Sequence, residues 1–211
     1  MRAFHRYKRG PKRAPNCEWR DFCPLHGRLV REEPPVDPPI LFLVGEAPGF
    51  DEDLTGRPFV GKSGSELDMY LARFARVPRP RCYITNAVKC RPPDNRDPKS
   101  DELATCTSAW LEEELATIPR ELVVAVGRVA ACWLLDAPVS LERIHGIPQP
   151  SRWGVVMPIY HPAYGIHSPR RMRDIIGDFR AIGELVRGRS VWERAELPLD
   201  YALEGAGHGT A

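Results

Sequence analysis

Three short stretches of this chain combine polar groups capable of proton transfer or hydrogen-bond readout with the glycines and prolines of a tight loop: GEAPG at 45–49, TNAVKC at 85–90 and HPAYG at 161–165. Their principal side chains are a carboxylate (Glu46), a carboxamide (Asn86) and an imidazole (His161). Singly, each has an ordinary structural use, in a turn, as a backbone partner or as a loop anchor. Together they make a candidate constellation, because each stands at or just after the end of an apolar run. Six cysteines form a second set of chemistry-bearing groups. Without a secretion signal they argue against a disulfide framework, leaving metal ligands or buried apolar cysteines.

The elements that must position these groups alternate in type. ILFLV from Ile40, CYITNAV, ELVVAVG and WGVVMPIYHP are apolar and rich in β-branched or aromatic residues, as expected of buried strands. Between them, Leu67, Tyr70, Leu71 and Phe74 recur at helical spacing. So do Leu103, Cys106, Trp110 and Leu111 within 99–118. GRVAACWLL reads as a short helix, and Met172, Ile175, Ile176, Phe179, Ile182 and Val186 form one helical stripe. This order predicts an α/β fold, a three-layer α/β/α sandwich with a central, mainly parallel four-stranded sheet. In open α/β sheets ligands bind beyond the carboxyl ends of the strands, so the topology itself sends Glu46, Asn86 and His161 to one pocket.

At 211 residues with 43% hydrophobic content, the chain suits one well-buried core. Residues 1–38 read as a basic, Pro-rich arm, 39–188 as the folded domain and 189–211 as a polar tail. No apolar run approaches the roughly 20 residues that span a bilayer, and the basic start MRAFHRYKRGPKRAP lacks the apolar core of a signal peptide. The expectation is a soluble, cytoplasmic protein. A formal charge of +2 announces no partner, but its distribution is uneven. Arg2, Arg6, Lys8, Arg9, Lys12 and Arg13 make a basic arm, and Arg170, Arg171 and Arg173 a second cluster.

GEAPGFDED followed by GRPFVG, then ITNAVKCRPPDNRDP, then HPA resemble, in order and at similar separations, the signature stretches of the family 4 uracil-DNA glycosylases. The resemblance runs over roughly residues 23–186 and implies the uracil-DNA glycosylase sandwich, an iron–sulfur cluster and excision of uracil from DNA. Such an enzyme must extrude the nucleotide and hold the base by stacking and by its Watson–Crick edge. The resemblance implies that Phe59 stacks on uracil, that Asn86 reads its edge, and that Gly45 and Ala47 line the pocket. Glu52 would crowd the pyrimidine C5 position and exclude thymine. As charge moves onto the departing base, His161 would donate to O2, and Glu46 would hold or polarise the attacking water. Ala47 puts no second acid beside Glu46, so Asp51 or Asp53 are substitutes for that last role.

HPAYGIHSPRR has the length of the family's minor-groove loop, which fills the gap left by the extruded nucleotide. Tyr164, Gly165, Ile166 and His167 would form it, with Tyr164 and Ile166 as the wedge. Arg170 and Arg171 would meet phosphates at the start of the last helix. His167 stands where the family often has Arg.

Cys90 and Cys106 match two ligands of the family's 4Fe-4S cluster, and Cys23, followed by Pro-Leu and then Arg28, resembles a third. Cys17 is left as the fourth, although five residues separate it from Cys23 rather than two, and Arg20 stands at the expected place. Zinc is the alternative, since four thiolates suit either metal. In both cases the metal staples the N-terminal arm to the sheet domain. Cys82 and Cys132 read as small buried hydrophobes.

Two other functions compete with uracil excision: a related glycosylase for hypoxanthine or xanthine, and an iron–sulfur DNA-binding module without catalysis. A nucleotide enzyme of the phosphate-loop class is disfavoured, on the reading that the chain carries neither GxxxxGK[ST] nor a strand-linked GxGxxG. A covalent uracil-trapping relative is disfavoured too, because its basic, His-containing loop is not seen after Lys89. The expected partner is uracil-containing DNA, single- or double-stranded, met by a monomer.

Overall fold

A computed structural model of the chain describes residues 17, 25, 28–36, 38–166 and 168–188. Residues 1–16 with the basic cluster Arg2–Arg13, Cys23, His167 and the 189–211 tail lie outside them. The strands are β1 (Leu41–Gly45), β2 (Cys82–Asn86), β3 (Leu122–Val126), β4 (Gln149–Ser151) and β5 (Gly154–Ile159). They form one sheet in the order β2-β1-β3-β5-β4, parallel except for the β4–β5 pair. The parallel sheet is as expected, but it has five strands rather than four. The extra one is three residues long and closes a tight hairpin over Arg152 and Trp153, too short to show any period in sequence.

Burial along β1, β2 and β3 is complete, which is why their sequences read as continuous apolar runs. Alternation still sorts their side chains into two cores. Leu41, Leu43, Ile84, Val124 and Met157 face one side, against α2 (Lys62–Tyr70) and α7 (Pro169–Val186). Phe42, Val44, Tyr83, Val123 and Val156 face the other, against α4 (Glu112–Thr117), α5 (Arg128–Leu134) and α6 (Leu141–Ile144). Two cores about one sheet give the three layers.

The helix expected within 99–118 consists of α3 (Ser100–Cys106) and α4 joined by a π-helical turn, Thr107–Leu111. A second π turn, Leu71–Ala75, ends α2. α1 (Phe50–Thr55) completes the set. Part of the segment read as an arm outside the folded domain is anchored by the sheet itself. Val30 is buried and donates its N–H to Lys89 O at 2.7 Å, and Glu33 exchanges backbone bonds with Ile84 at 2.8 and 3.2 Å. Among the described residues no helix is long and apolar enough to cross a membrane.

Candidate active site

Gly45 ends β1 opposite Asn86, the last residue of β2. Pairing continues past both strands, with Ala87 N–H on Gly45 O at 2.8 Å and Val88 N–H on Glu46 O at 3.1 Å. The loops after β1 and β2 are therefore held in register, which places Glu46 one residue past the Gly45–Asn86 pair, against the backbone of Val88. A Cβ on Gly45 would lie 2.3 Å from Asn86 Oδ1 and 2.7 Å from Cε2 and Cζ of Phe59. Only glycine allows the amide and the ring to close over this strand end.

Phe59 is held in an uncommon conformation, a left-handed backbone with φ 50°. Arg79 secures it, donating to Phe59 O at 3.0 Å and Pro58 O at 2.8 Å while anchored by Glu33 and Asp68. Gly64 of α2 packs so closely that a Cβ there would lie 2.0 Å from Phe59 O. The ring, only 5% exposed, stacks on His161 with centroids 5.8 Å apart and planes 28° from parallel.

His161 follows β5. Its Nδ1 accepts the Ala163 N–H at 3.3 Å, so the neutral ring carries its proton on Nε2. Burial holds its pKa below the ordinary histidine range. The outcome is a neutral imidazole with a fixed N–H donor. Gly127, at φ 96°, brings the end of β3 against it, where a Cβ would lie 3.7 Å from His161 Cβ.

Glu46 is half-buried. Burial, reinforced by Asp97, raises its pKa, and Arg128 opposes the shift. Arg128 in turn lies 3.5 Å from Asp97. A carboxylate raised in this way is suited to accept a proton nearer neutrality than a solvated one. Ala47 packs on the cluster formed by Leu25, Val88, Cys90 and Cys106.

Glu52, 8% exposed, has its carboxylate filled by backbone N–H groups: Gly49 at 3.1 Å, Val60 at 2.8 Å and Gly61 at 2.9 Å. It laces GEAPG to GRPFVG. Those bonds also settle a match overlooked in the sequence, for GRPFVGKS at 56–63 has the GxxxxGK[ST] spacing of a phosphate loop. Here the segment follows α1 rather than a strand, and the Val60 and Gly61 N–H groups that would cradle phosphate are bound to Glu52.

In the loop after β5, Tyr164 is 53% exposed and stacks on Tyr160 at 5.4 Å, Gly165 is buried against Ile175, and Ile166 is half-buried. Arg170 is exposed. Arg171 lies over both tyrosine rings, bonding Tyr160 Oη at 3.0 Å and Glu142 at 2.9 Å, so a phosphate would compete with those partners. Tyr160 is fixed from behind by Asp178, which accepts its N–H at 3.2 Å and pairs with His145 at 2.7 Å.

Cys17, Cys90 and Cys106 line one small pocket with Leu25, Leu29, Thr105, Ala109 and Trp110. The Lys89 N–H donates to Cys106 Sγ at 3.2 Å. Donor type and apolar wall fit a thiolate-bound metal, yet among the described residues no three such groups are grouped closely enough to hold one. Cys82, as expected, is buried, its thiol pushed up to about 12 by desolvation. Cys132 is only partly buried.

The profile of the uracil DNA glycosylase superfamily matches residues 32–180, which contain all five strands together with Gly45, Glu46, Glu52, Phe59, Asn86 and His161. A type-4 uracil-DNA glycosylase of Archaeoglobus fulgidus is 38% identical over 173 residues, 77% of this chain and 86% of the relative. The chain belongs to the type-4 family of the uracil-DNA glycosylase superfamily. A second type-4 uracil-DNA glycosylase, from Thermotoga maritima, is 41% identical over 147 residues, 67% of this chain and 75% of its own length. Similarity extends to the type-5 family, with a Thermus thermophilus member 34% identical over 164 residues, 67% of this chain and 72% of the relative. For a type-4 chain, the supporting residues Arg79, Lys89, Glu114 and Asp178 are what sequence reasoning missed. Glu114 and Asp178 had left a signal, Glu114 at i+4 from Trp110 and i+3 from Leu111, and Asp178 at i+3 from Ile175 and four residues before Ile182, each on a buried helical face.

Proposed function

We propose that this chain extrudes uracil from DNA and hydrolyses its N-glycosidic bond, leaving an abasic site that initiates base excision repair. The observation that carries this reading is the packing of Gly45, Phe59, Asn86 and His161 against one another at the carboxyl ends of the strands in a type-4 family member. Phe59 supplies a face for the base. Asn86 accepts from uracil N3–H and donates to O4. Water adds its oxygen to C1′ as the N1–C1′ bond breaks, and the bonding pair leaves with the base. His161 Nε2–H stabilises the charge gathering on O2, and Glu46 orients the water and takes its proton. Glu52, fixed between the two loops, crowds C5 and disfavours thymine.

Tyr164 and Ile166 enter the gap left by the base, and Arg170 meets a phosphate. The exposure of Tyr164 and Arg170 supports this assignment. One compact domain reading one nucleotide needs no symmetry, so the protein acts as a monomer on single- or double-stranded DNA, in the cytoplasm. Cys17, Cys23, Cys90 and Cys106 hold a 4Fe-4S cluster, with zinc as the alternative, and the cysteine-lined pocket supports that choice. When bound, the cluster staples the N-terminal segment to the sheet domain, and the hydrolysis calls for no redox step.

The test is base release from an oligonucleotide carrying one uracil opposite G, opposite A or unpaired, beside thymine, hypoxanthine and xanthine controls. Uracil-restricted release is expected. Preferential release of hypoxanthine or xanthine, or binding without release, would overturn the assignment.

A further inference from the structure

Lys89 is 1% exposed, and its ammonium lies 2.8 Å from both carboxylate oxygens of Glu114, itself 6% exposed. The remaining donors go to Thr85 Oγ1 and, at 3.1 Å, to the main-chain carbonyl of Asn86. Burying two charges is expensive, and a well-packed apolar pair of similar volume serves stability as well or better. What an apolar pair cannot supply is the hydrogen bond to the Asn86 carbonyl. That carbonyl lies at the end of β2, where the strand gives way to the base-reading loop.

The whole segment is pinned around this point. Ala87 and Val88 bond to Gly45 O and Glu46 O, while Lys89 donates its own N–H to Cys106 Sγ and accepts from Val30 through its carbonyl. The ammonium therefore acts from a backbone that is itself fixed, and Thr85 and Glu114 aim it. Gly45 closes the opposite side of the Asn86 amide. An amide can read uracil or cytosine according to how it is turned, so its support decides selectivity as well as affinity.

We propose that Lys89, aimed by Glu114 and Thr85, is a positioning residue that sets Asn86 for uracil recognition. The inference rests on the reading of Asn86 as the residue that contacts the uracil edge.

The test compares Lys89→Met/Glu114→Leu, which removes both buried charges, with Asn86→Ala, reading inhibition by free uracil and affinity for abasic product DNA. For the folded double variant we expect free uracil to inhibit about tenfold less well, a change equivalent to about 1.4 kcal/mol, with abasic DNA bound as in the wild type. A purely structural role would weaken both ligands together or neither. Wild-type uracil inhibition in the folded double variant, with Asn86→Ala impaired, overturns the inference alone. Unimpaired Asn86→Ala removes the reading beneath it. Should the double variant not fold, Thr85→Val keeps the ion pair and removes one of its aiming bonds. About threefold weaker uracil inhibition is then expected, in line with one lost hydrogen bond, and an unchanged value overturns the proposal.

Discussion

Gly45 and Asn86 face each other across the ends of two parallel strands, so closely that a methyl group on Gly45 would lie 2.3 Å from the Asn86 amide oxygen. The same methyl group would meet the Phe59 ring at 2.7 Å. Both obstructing groups are side chains rather than backbone, so Gly45→Ala is expected to fold and to displace the two groups assigned to the base. Displacements of about 1 Å at a reacting centre cost on the order of a hundredfold in rate. A loss of that size in kcat/KM for uracil release, with little change in melting temperature, is the expected result.

His161 presents a fixed donor because Ala163 occupies its other ring nitrogen. Removing a donor from a developing oxyanion costs about two to three orders of magnitude. His161→Ala should therefore slow single-turnover uracil release by that factor while leaving the affinity for abasic DNA within about twofold, well under the tenfold that corresponds to 1.4 kcal/mol. Wild-type single-turnover rates would remove His161 from the chemistry.

The raised pKa of Glu46 fixes the direction of the pH dependence. The carboxylate must be ionised to accept a proton from water, so activity falls as the pH drops through its pKa. Burial and Asp97 place that limb above the ordinary carboxylate range. Burial likewise holds the His161 pKa below the ordinary histidine range, which favours the neutral ring. A kcat/KM profile should show one acid limb that disappears in Glu46→Gln, together with a large drop in rate. An unaltered limb in that variant would assign it to another group, with Asp51 and Asp53 the next to test.

The fold was legible where periodicity is long and burial one-sided, and the candidate site where strand ends carry unusual polar residues. Glu46, Asn86 and His161 were each placed at a strand end by the alternation of apolar runs. The short strand Gln149–Ser151 was not, because three residues display no period. Supports that act across long sequence separations were equally hidden. Arg79 reaches Phe59 across 20 residues, and Lys89 reaches Glu114 across 25. Nothing local in either neighbourhood names the partner. GRPFVGKS was passed over as well, and its spacing takes its meaning from the element before it, here α1 rather than a strand.

The cysteine-lined pocket leads to a further expectation. Protein purified without oxygen should carry a broad visible absorbance and about four irons per chain. Cys90→Ser should lose both and melt at a lower temperature. Zinc in place of iron would select the alternative metal, and a wild-type spectrum in Cys90→Ser would take that residue out of the ligand set.

The most direct test of the central claim is the appearance of free uracil from a uracil-containing duplex, followed together with abasic sites, for the wild type and for Asn86→Ala. The strand-end cluster predicts that wild-type protein releases uracil and creates abasic sites in equal amounts. Asn86→Ala should lose at least about a hundredfold, as expected when a site built to hydrogen-bond its substrate loses the paired group. Undiminished release by Asn86→Ala would contradict the account.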